Sequence, residues 1–378
     1  MDRKLHVALV GLGFGGAFAE IWKAHPAVER VTLCDTNRTL LQKFRDRLGG
    51  EAETADSLDA VLADESIDAV HLVTPIPLHA DQTVAVLEAG KHCACTVPMA
   101  TSLKDIRRIA EAKKRSGKKY MMMETTLYTY QYRYAAKMKA EGKFGKIQFL
   151  RGSHYQDMQG WPDYWMGLPP MWYGTHAIAP MVVLSGSRIC RVNCFGSGTM
   201  EQWLTERYHN PFPVESALFE FENGLKGEAT RSLFETARCY QEGMFVYGSD
   251  ASFEWGFRDA DDPYITYALR REDGRRGADV KMQITPMPND YSDLPEALWP
   301  FTVGGNFDPL NPQESLKKGA GGGHHGSHAH LVHEFVMSIL EDRKPFIDVS
   351  LAANITAAGI CAHESALRGG EAVTVPTF

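Results

Sequence analysis

Gly11, Gly13 and Gly16 stand in a G-x-G-x-x-G spacing between an apolar run, Leu5–Val10, and an amphipathic run, Ala17–His25. Between a strand and a helix, the first of these glycines permits a tight turn. The second lets backbone approach a diphosphate, and the third lets helix and strand pack closely. The unpaired N–H groups of the helix start then face the phosphates. A second apolar run, Val31–Cys34, ends in Asp35, at roughly the 20-residue separation where a carboxylate takes the adenosine ribose hydroxyls. These residues predict a dinucleotide site. A carboxylate there repels a 2′-phosphate and favours NAD over NADP, while Arg38 works against that preference.

The elements that must hold this site follow from the apolar pattern. Strands are expected at 5–10, 31–34, 69–74, 91–95 and 119–123, with helices at 15–25, 37–48, 56–63, 79–89 and 102–115. Such alternation implies a parallel, doubly wound sheet. After residue 125 the texture changes. A helix over Tyr128–Glu141 leads into strand candidates at 147–155, 189–197, 215–221, 225–234, 243–247 and 251–256, whose alternation implies a largely antiparallel sheet. The polar, Gly-, Pro- and Asp-rich stretch 258–322 predicts long loops or an inserted excursion, and helices at 328–341 and 350–368 close the chain. The expected fold class is α/β: an N-terminal Rossmann dinucleotide-binding domain over 1–125, and a C-terminal α+β domain with an open, largely antiparallel sheet over 126–378 for substrate binding and oligomerisation.

With 378 residues, 44% hydrophobic and 23% charged, the chain is long enough for two cores and ordinary in composition. A net charge of −7 without a basic block argues against nucleic acid or an acidic membrane surface. No apolar run is long enough to span a bilayer. The first strand begins so close to Met1 that a signal peptide is not expected, and seven scattered cysteines suggest reduced thiols and a cytoplasmic location.

Ala69–Pro75, His79 and Leu87–His92, followed by Gly142-Lys143-Phe144-Gly145-Lys146-Ile147, resemble the glucose–fructose oxidoreductase / inositol dehydrogenase (Gfo/Idh/MocA) family. The resemblance covers nearly the whole chain outside about 258–322. It implies hydride transfer between NAD(P) and a sugar or cyclitol, and a homodimer or homotetramer formed through the second sheet. The expected cofactor contacts are Gly11, Gly13, Phe14, Gly16, Asp35, Thr74, Pro75, His79, Thr96 and Pro98. For His79, a helix N-terminal structural role is an equal alternative.

Two departures stand out. Dehydrogenases of this family usually carry Glu-Lys-Pro where this chain has Thr96-Val97-Pro98, and they place aspartates where Trp172 and Ala179 stand. Valine cannot move a proton. The pattern is similar to a narrower branch, the NAD-dependent glycosidases of the α-N-acetylgalactosaminidase or sulfoquinovosidase kind. These lack the lysine and carry a Tyr-x-x-His pair, matched by Tyr173 and His176, and a glutamate matched by Glu124. Polar residues on their first sheet strand fall at His154 and Gln156, or at Tyr155 and Asp157 if the register slips by one.

A Gly- and His-rich loop precedes the C-terminal helix of that branch; here it reads Gly321-Gly322-Gly323-His324-His325-Gly326-Ser327-His328. The branch hydrolyses by transient oxidation at C3, elimination across C1–C2, water addition and re-reduction, with NAD tightly bound and recycled. On this reading His176, Tyr173, His154 and Glu124 are catalytic, and Tyr155, Asp157, Trp172, His325 and His328 contact substrate. The ligand is a small glycoside or sugar, and Arg151, Arg231 and Arg238 leave room for an anionic one such as a sulfoquinovoside. The histidine group has no familiar metal-ligand spacing, so no metal is expected. The alternatives are a net NAD-dependent sugar or cyclitol dehydrogenase and a non-catalytic sugar or dinucleotide sensor.

Overall fold

The computed structural model describes residues 3–258, 261–269, 279–286, 289–303, 310–311 and 324–378. In chain order the elements begin β1 (Leu5–Val10), α1 (Gly16–Ala24), β2 (Val28–Cys34), α2 (Arg38–Arg47), β3 (Glu53–Ala55), α3 (Leu58–Ala63) and β4 (Ala69–Leu72). They continue α4 (His79–Glu88), β5 (His92–Cys95), α5 (Leu103–Ser116), β6 (Tyr120–Met122), α6 (Tyr130–Ala140), β7 (Ile147–Tyr155) and α7 (Thr175–Ser185). The remainder are β8 (Ile189–Ser197), α8 (Gln202–Thr205), β9 (Val214–Phe221), β10 (Lys226–Ser232), β11 (Gln241–Gly248), β12 (Ala251–Glu254), β13 (Tyr264–Leu269), β14 (Asp279–Ile284), α9 (Ser327–Leu340), α10 (Val349–Leu367) and β15 (Val373–Thr374).

Contacts group the chain into two units. The first comprises Met1–Tyr128 with Asn289–Ala353, and the second Thr129–Pro288 with Asn354–Thr377. Residues 289–353, placed by the sequence with the second domain, thus group with the first.

The first unit holds a six-stranded sheet in the order β3-β2-β1-β4-β5-β6, with every pairing parallel. β1 is buried at all six positions, which is why it reads as an unbroken apolar run. One of its helices, α5, carries its own start and stop signals. In α5, Ser102 caps the N-terminus by accepting from the Asp105 N–H, Ile106, Ile109 and Ala112 form the buried stripe, and Gly117 ends the helix at φ +67°. α9 returns from the far end of the sequence to pack on α1, with Trp22 against Phe335 at 6.4 Å between ring centres and Phe18 stacked on His328 at 4.1 Å.

The second unit holds a nine-stranded mixed sheet in the order β14-β13-β12-β11-β7-β10-β9-β8-β15. β7 and β10 run parallel and the other pairs antiparallel. The stretch expected to be loop contains the hairpin β13–β14 and a 3₁₀ turn at Glu296–Thr302. β14 lies on the sheet edge and is exposed along most of its length, so it lacks the inward apolar alternation that reveals a strand. α7 lies on one face, and the backbones meet closely. A Cβ on Gly152 of β7 would stand 2.1 Å from the Ala177 carbonyl oxygen of α7.

Candidate active site

In the first unit the glycine turn has the geometry its residue types suggest. Gly11 sits at φ +89°, and a Cβ there would lie 2.3 Å from the Val73 carbonyl oxygen. A Cβ on Gly16 would strike the Phe44 ring at 1.9 Å. At Gly13, by contrast, nothing lies within 4 Å of the Cβ position, which leaves open space for a diphosphate. Asp35 ties the end of β2 to this turn. One carboxylate oxygen accepts the Leu12 N–H at 2.7 Å and the other the Asn37 N–H at 2.8 Å. The residues present fit a dinucleotide, with Gly11–Gly16 toward its phosphates and Asp35 toward its ribose. Phe14 is 49% exposed, and its ring lies edge-on to Phe18, His324 and His328.

Thr74 and Pro75 follow β4, and Thr96 and Pro98 follow β5, side by side in the sheet. His79 links these two strand ends. It is buried, with Nδ1 2.7 Å from the Pro98 carbonyl oxygen and Nε2 2.8 Å from the Thr74 carbonyl oxygen. Carbonyls only accept, so both ring nitrogens donate and the ring is an imidazolium. Burial pushes its pKa down, but the Cys95 sulfur and the two carbonyls outweigh it and hold it up at about 9. Its described hydrogen bonds make His79 a strut between the two turns. Thr74 Oγ1 donates to Gln82 Oε1 at 2.5 Å, and Thr96 Oγ1 to the Leu72 carbonyl oxygen at 3.3 Å. Val97 is buried beside them.

Glu124, His325 and His328 also belong to the first unit. Glu124 is fully buried and accepts the Thr126 N–H at 3.0 Å. His324 and His325 have left-handed backbones, φ +46° and +54°, and lead into α9, where His328 is buried against Phe18. Gly321, Gly322 and Gly323 of the expected loop lie outside the described residues. Among the described residues no group of three His, Cys, Asp or Glu side chains is placed to hold a metal ion.

The second unit brings together His154, Tyr173 and His176. The Tyr173 hydroxyl and His176 Nε2 are 3.4 Å apart, and the ring centres of His154 and His176 are 4.9 Å apart. Trp165 stands edge-on to Tyr173 at 4.8 Å, and Tyr240 edge-on to His154 at 5.4 Å. Register decides which strand residues take part. Leu150, Gly152 and His154 share the buried face of β7 that meets α7, so His154 joins the cluster. Tyr155 is on the opposite face, with the Arg238 guanidinium 5.3 Å from its ring centre. Asp157 is exposed and accepts the Gln159 N–H at 2.9 Å. Trp172 turns its ring toward His363 and Tyr208, at 5.8 and 6.0 Å.

The arginines are engaged within the protein. Arg231, fully buried, donates to the carbonyl oxygens of Tyr173 (3.1 Å), His154 (3.2 Å) and Ser232, and to Gln156 Oε1 (3.1 Å). Burial lowers its pKa to about 10, against the nearby Tyr173, Tyr240 and Glu242. Arg151 pairs with Glu228 at 2.7 Å. Arg238 donates to Gln241 Oε1 and to the Phe257 carbonyl oxygen.

Three residues around this cluster escaped the sequence reading: Glu215, Tyr240 and Glu242. Glu215, fully buried, approaches His363 Nδ1 at 2.6 Å and accepts the Met171 N–H at 2.8 Å, anchoring the turn that carries Tyr173. Glu242, also fully buried, accepts from the Tyr240 hydroxyl. The available signal was an acid at an inward position of an alternating strand, Glu242, Met244, Val246, but the strand was expected to start at residue 243.

Residues 5–124 match a family model described as an oxidoreductase family with an NAD-binding Rossmann fold. A glycosyl hydrolase family 109 protein from Porphyromonas gingivalis is 29% identical over 171 residues, taking in 43% of this chain and only 36% of that relative. A levoglucosan dehydrogenase from Pseudarthrobacter phenanthrenivorans is 26% identical over 345 residues, covering 79% of this chain and 84% of the relative. Among solved structures, a levoglucosan dehydrogenase in complex with NADH superposes with a TM-score of 0.78 at 22% identity, with both chains fully covered, which shows a shared fold. The glycine turn, the placement of Asp35 and the parallel sheet agree with the matched model: residues 5–124 form a Rossmann fold similar to the NAD-binding domain of the Gfo/Idh/MocA oxidoreductase family.

Proposed function

We propose that this chain is an NAD-dependent glycoside hydrolase that works by transient oxidation of its sugar. The observation that carries the reading is the Tyr173 hydroxyl at 3.4 Å from His176 Nε2, with His154 beside them, in a chain whose usual lysine position is the buried aliphatic Val97. NAD, when bound, supplies the hydride acceptor and later the donor. His176 takes the proton of the C3 hydroxyl, since imidazole titrates near neutrality, and Tyr173 shares that proton. A C3 ketone acidifies the C2 proton, and its removal with loss of the aglycone from C1 gives an enone to which water adds. His154 serves the C2 proton or the leaving group, and Glu124 orients a sugar hydroxyl or a neighbouring group. The engagement of Arg151, Arg231 and Arg238 within the protein favours a neutral sugar over an anionic one.

The test is a panel of aryl glycosides in deuterated water. Aglycone release with deuterium at C2 of the recovered sugar, without net cofactor consumption, is the expected result; release without C2 exchange excludes elimination. His176→Ala should lower turnover by about 10²- to 10⁴-fold. A second reading, a net sugar dehydrogenase, is favoured by the longer match to levoglucosan dehydrogenase. It predicts that NADH accumulates with substrate.

A further inference from the structure

Four buried ionisable side chains form one row across four neighbouring strands of the second unit. Glu215 on β9 is paired in register with Arg231 on β10. Arg231 is paired with His154 on β7, and His154 with Glu242 on β11. None of the four is more than 1% exposed. Directly opposed residues on one sheet face have Cβ atoms about 4.5–5.5 Å apart, so each is a neighbour of the next. The row alternates in charge around the imidazole, with guanidinium on one side and carboxylate on the other.

The two ends of the row are occupied differently. Glu215 is committed to His363 and the Met171 N–H. Arg231 has its guanidinium spread over three carbonyls and the Gln156 side chain. Glu242 accepts from the Tyr240 hydroxyl on its own strand's approach and is the acid paired in register with His154. Among the described residues, the rings of Tyr173, His176 and Tyr240 also face His154. A guanidinium beside an imidazole disfavours a proton on it and a carboxylate favours one; in this row the neighbours of His154 are Arg231 on one side and Glu242 on the other.

We propose that Glu242 is a positioning residue that lets buried His154 hold a proton, so that His154 acts as the acid for the departing aglycone and not as the base at C2. This assignment rests on the hydrolase reading and removes the ambiguity it leaves at His154. His154 then gives its proton to the glycosidic oxygen as the C1–O bond breaks; the proton leaving C2 goes to the Tyr173–His176 pair, which has passed the C3 hydroxyl proton on to solvent, and when water adds its oxygen bonds C1, one of its protons returns to His154 and C2 regains a proton from the pair.

The test reads His154 directly. Holoprotein with NAD bound and ¹³C-labelled histidine is titrated by NMR, with His154→Gln used to assign the resonance. Glu242→Gln should lower the His154 midpoint by about one pH unit or more, the size expected for loss of an adjacent opposite charge at a buried site. Glu242→Asp, which keeps the charge one methylene farther away, should lower it less and covers the case in which the glutamine variant does not fold. In turnover of an active aryl glycoside, the alkaline limb of the pH profile should fall by the same amount. An unmoved midpoint in the variants that fold overturns the proposal even if glycosides are cleaved. A shifted midpoint supports Glu242's hold on His154, and if no glycoside is cleaved by wild type, the hydrolase reading fails alone.

Discussion

His79 shows how one side chain links fold and cofactor site. Its two N–H groups brace the turns after β4 and β5, and the ring is charged because both acceptors are carbonyls. Its pKa is raised to about 9 in the folded chain against 6.5 in the unfolded one, so its contribution to stability is complete below pH 6.5 and is lost as pH rises through 9. His79→Gln should flatten the fall in melting temperature over that range, as measured by calorimetry. Asp35 is a second such link. Because it removes the charge-assisted bond to the Leu12 N–H that fixes the glycine turn, Asp35→Ala should weaken NAD binding by about tenfold or more, read by fluorescence titration of NADH.

At the scale of elements, the cluster of His154, Tyr173 and His176 depends on how closely α7 approaches β7. Gly152 lies two residues before His154 on the same face, and its missing Cβ lets the Ala177 carbonyl, next to His176, come down onto the strand. That contact is backbone on backbone, with no flexible side chain to yield. Gly152→Ala should therefore lift α7, cost about 1–3 kcal/mol in urea unfolding, and reduce turnover more than NAD affinity. A sheet strand built from alternating residues also explains why His154 and Tyr155 have such different surroundings: one residue of register exchanges the α7 face for the opposite one.

On the scale of the whole molecule, the first unit contains two buried histidines, His25 and His71, and a half-buried one, His92, whose charge is disfavoured. Burial and then His333 lower His25 to about 4, burial lowers His71 to about 3, and burial with Lys118 and Lys119 lowers His92 to about 4. His25 Nδ1 accepts the Ala27 N–H and its Nε2 meets His333 Nδ1 at 3.1 Å, an arrangement that needs a neutral ring. For these groups the unfolded chain binds more protons below pH 6.5, so stability is complete above that value and falls toward pH 4. Together with His79 the expectation is a maximum in melting temperature near pH 6.5, with the acid limb reduced in His25→Gln. The second sheet, in turn, leaves Phe195 62% and Leu218 47% exposed on its outer face.

The sequence by itself determined what short-range interactions determine. The glycine spacing specified the turn between β1 and α1, and the strand–helix alternation specified a parallel sheet, because each depends on residues within a few positions of one another. Only tertiary structure decided the rest. Glu242 meets His154 because β11 pairs with β7, and His79 finds Pro98 because β4 and β5 end side by side. Residues 289–353 return to the first unit because α9 buries Phe335 and His328 against α1. Arg231, which by residue type suited a bound anion, is instead used up on the protein's own carbonyls. In each case the partner lies many residues away, and burial sets what a charge or a proton costs there.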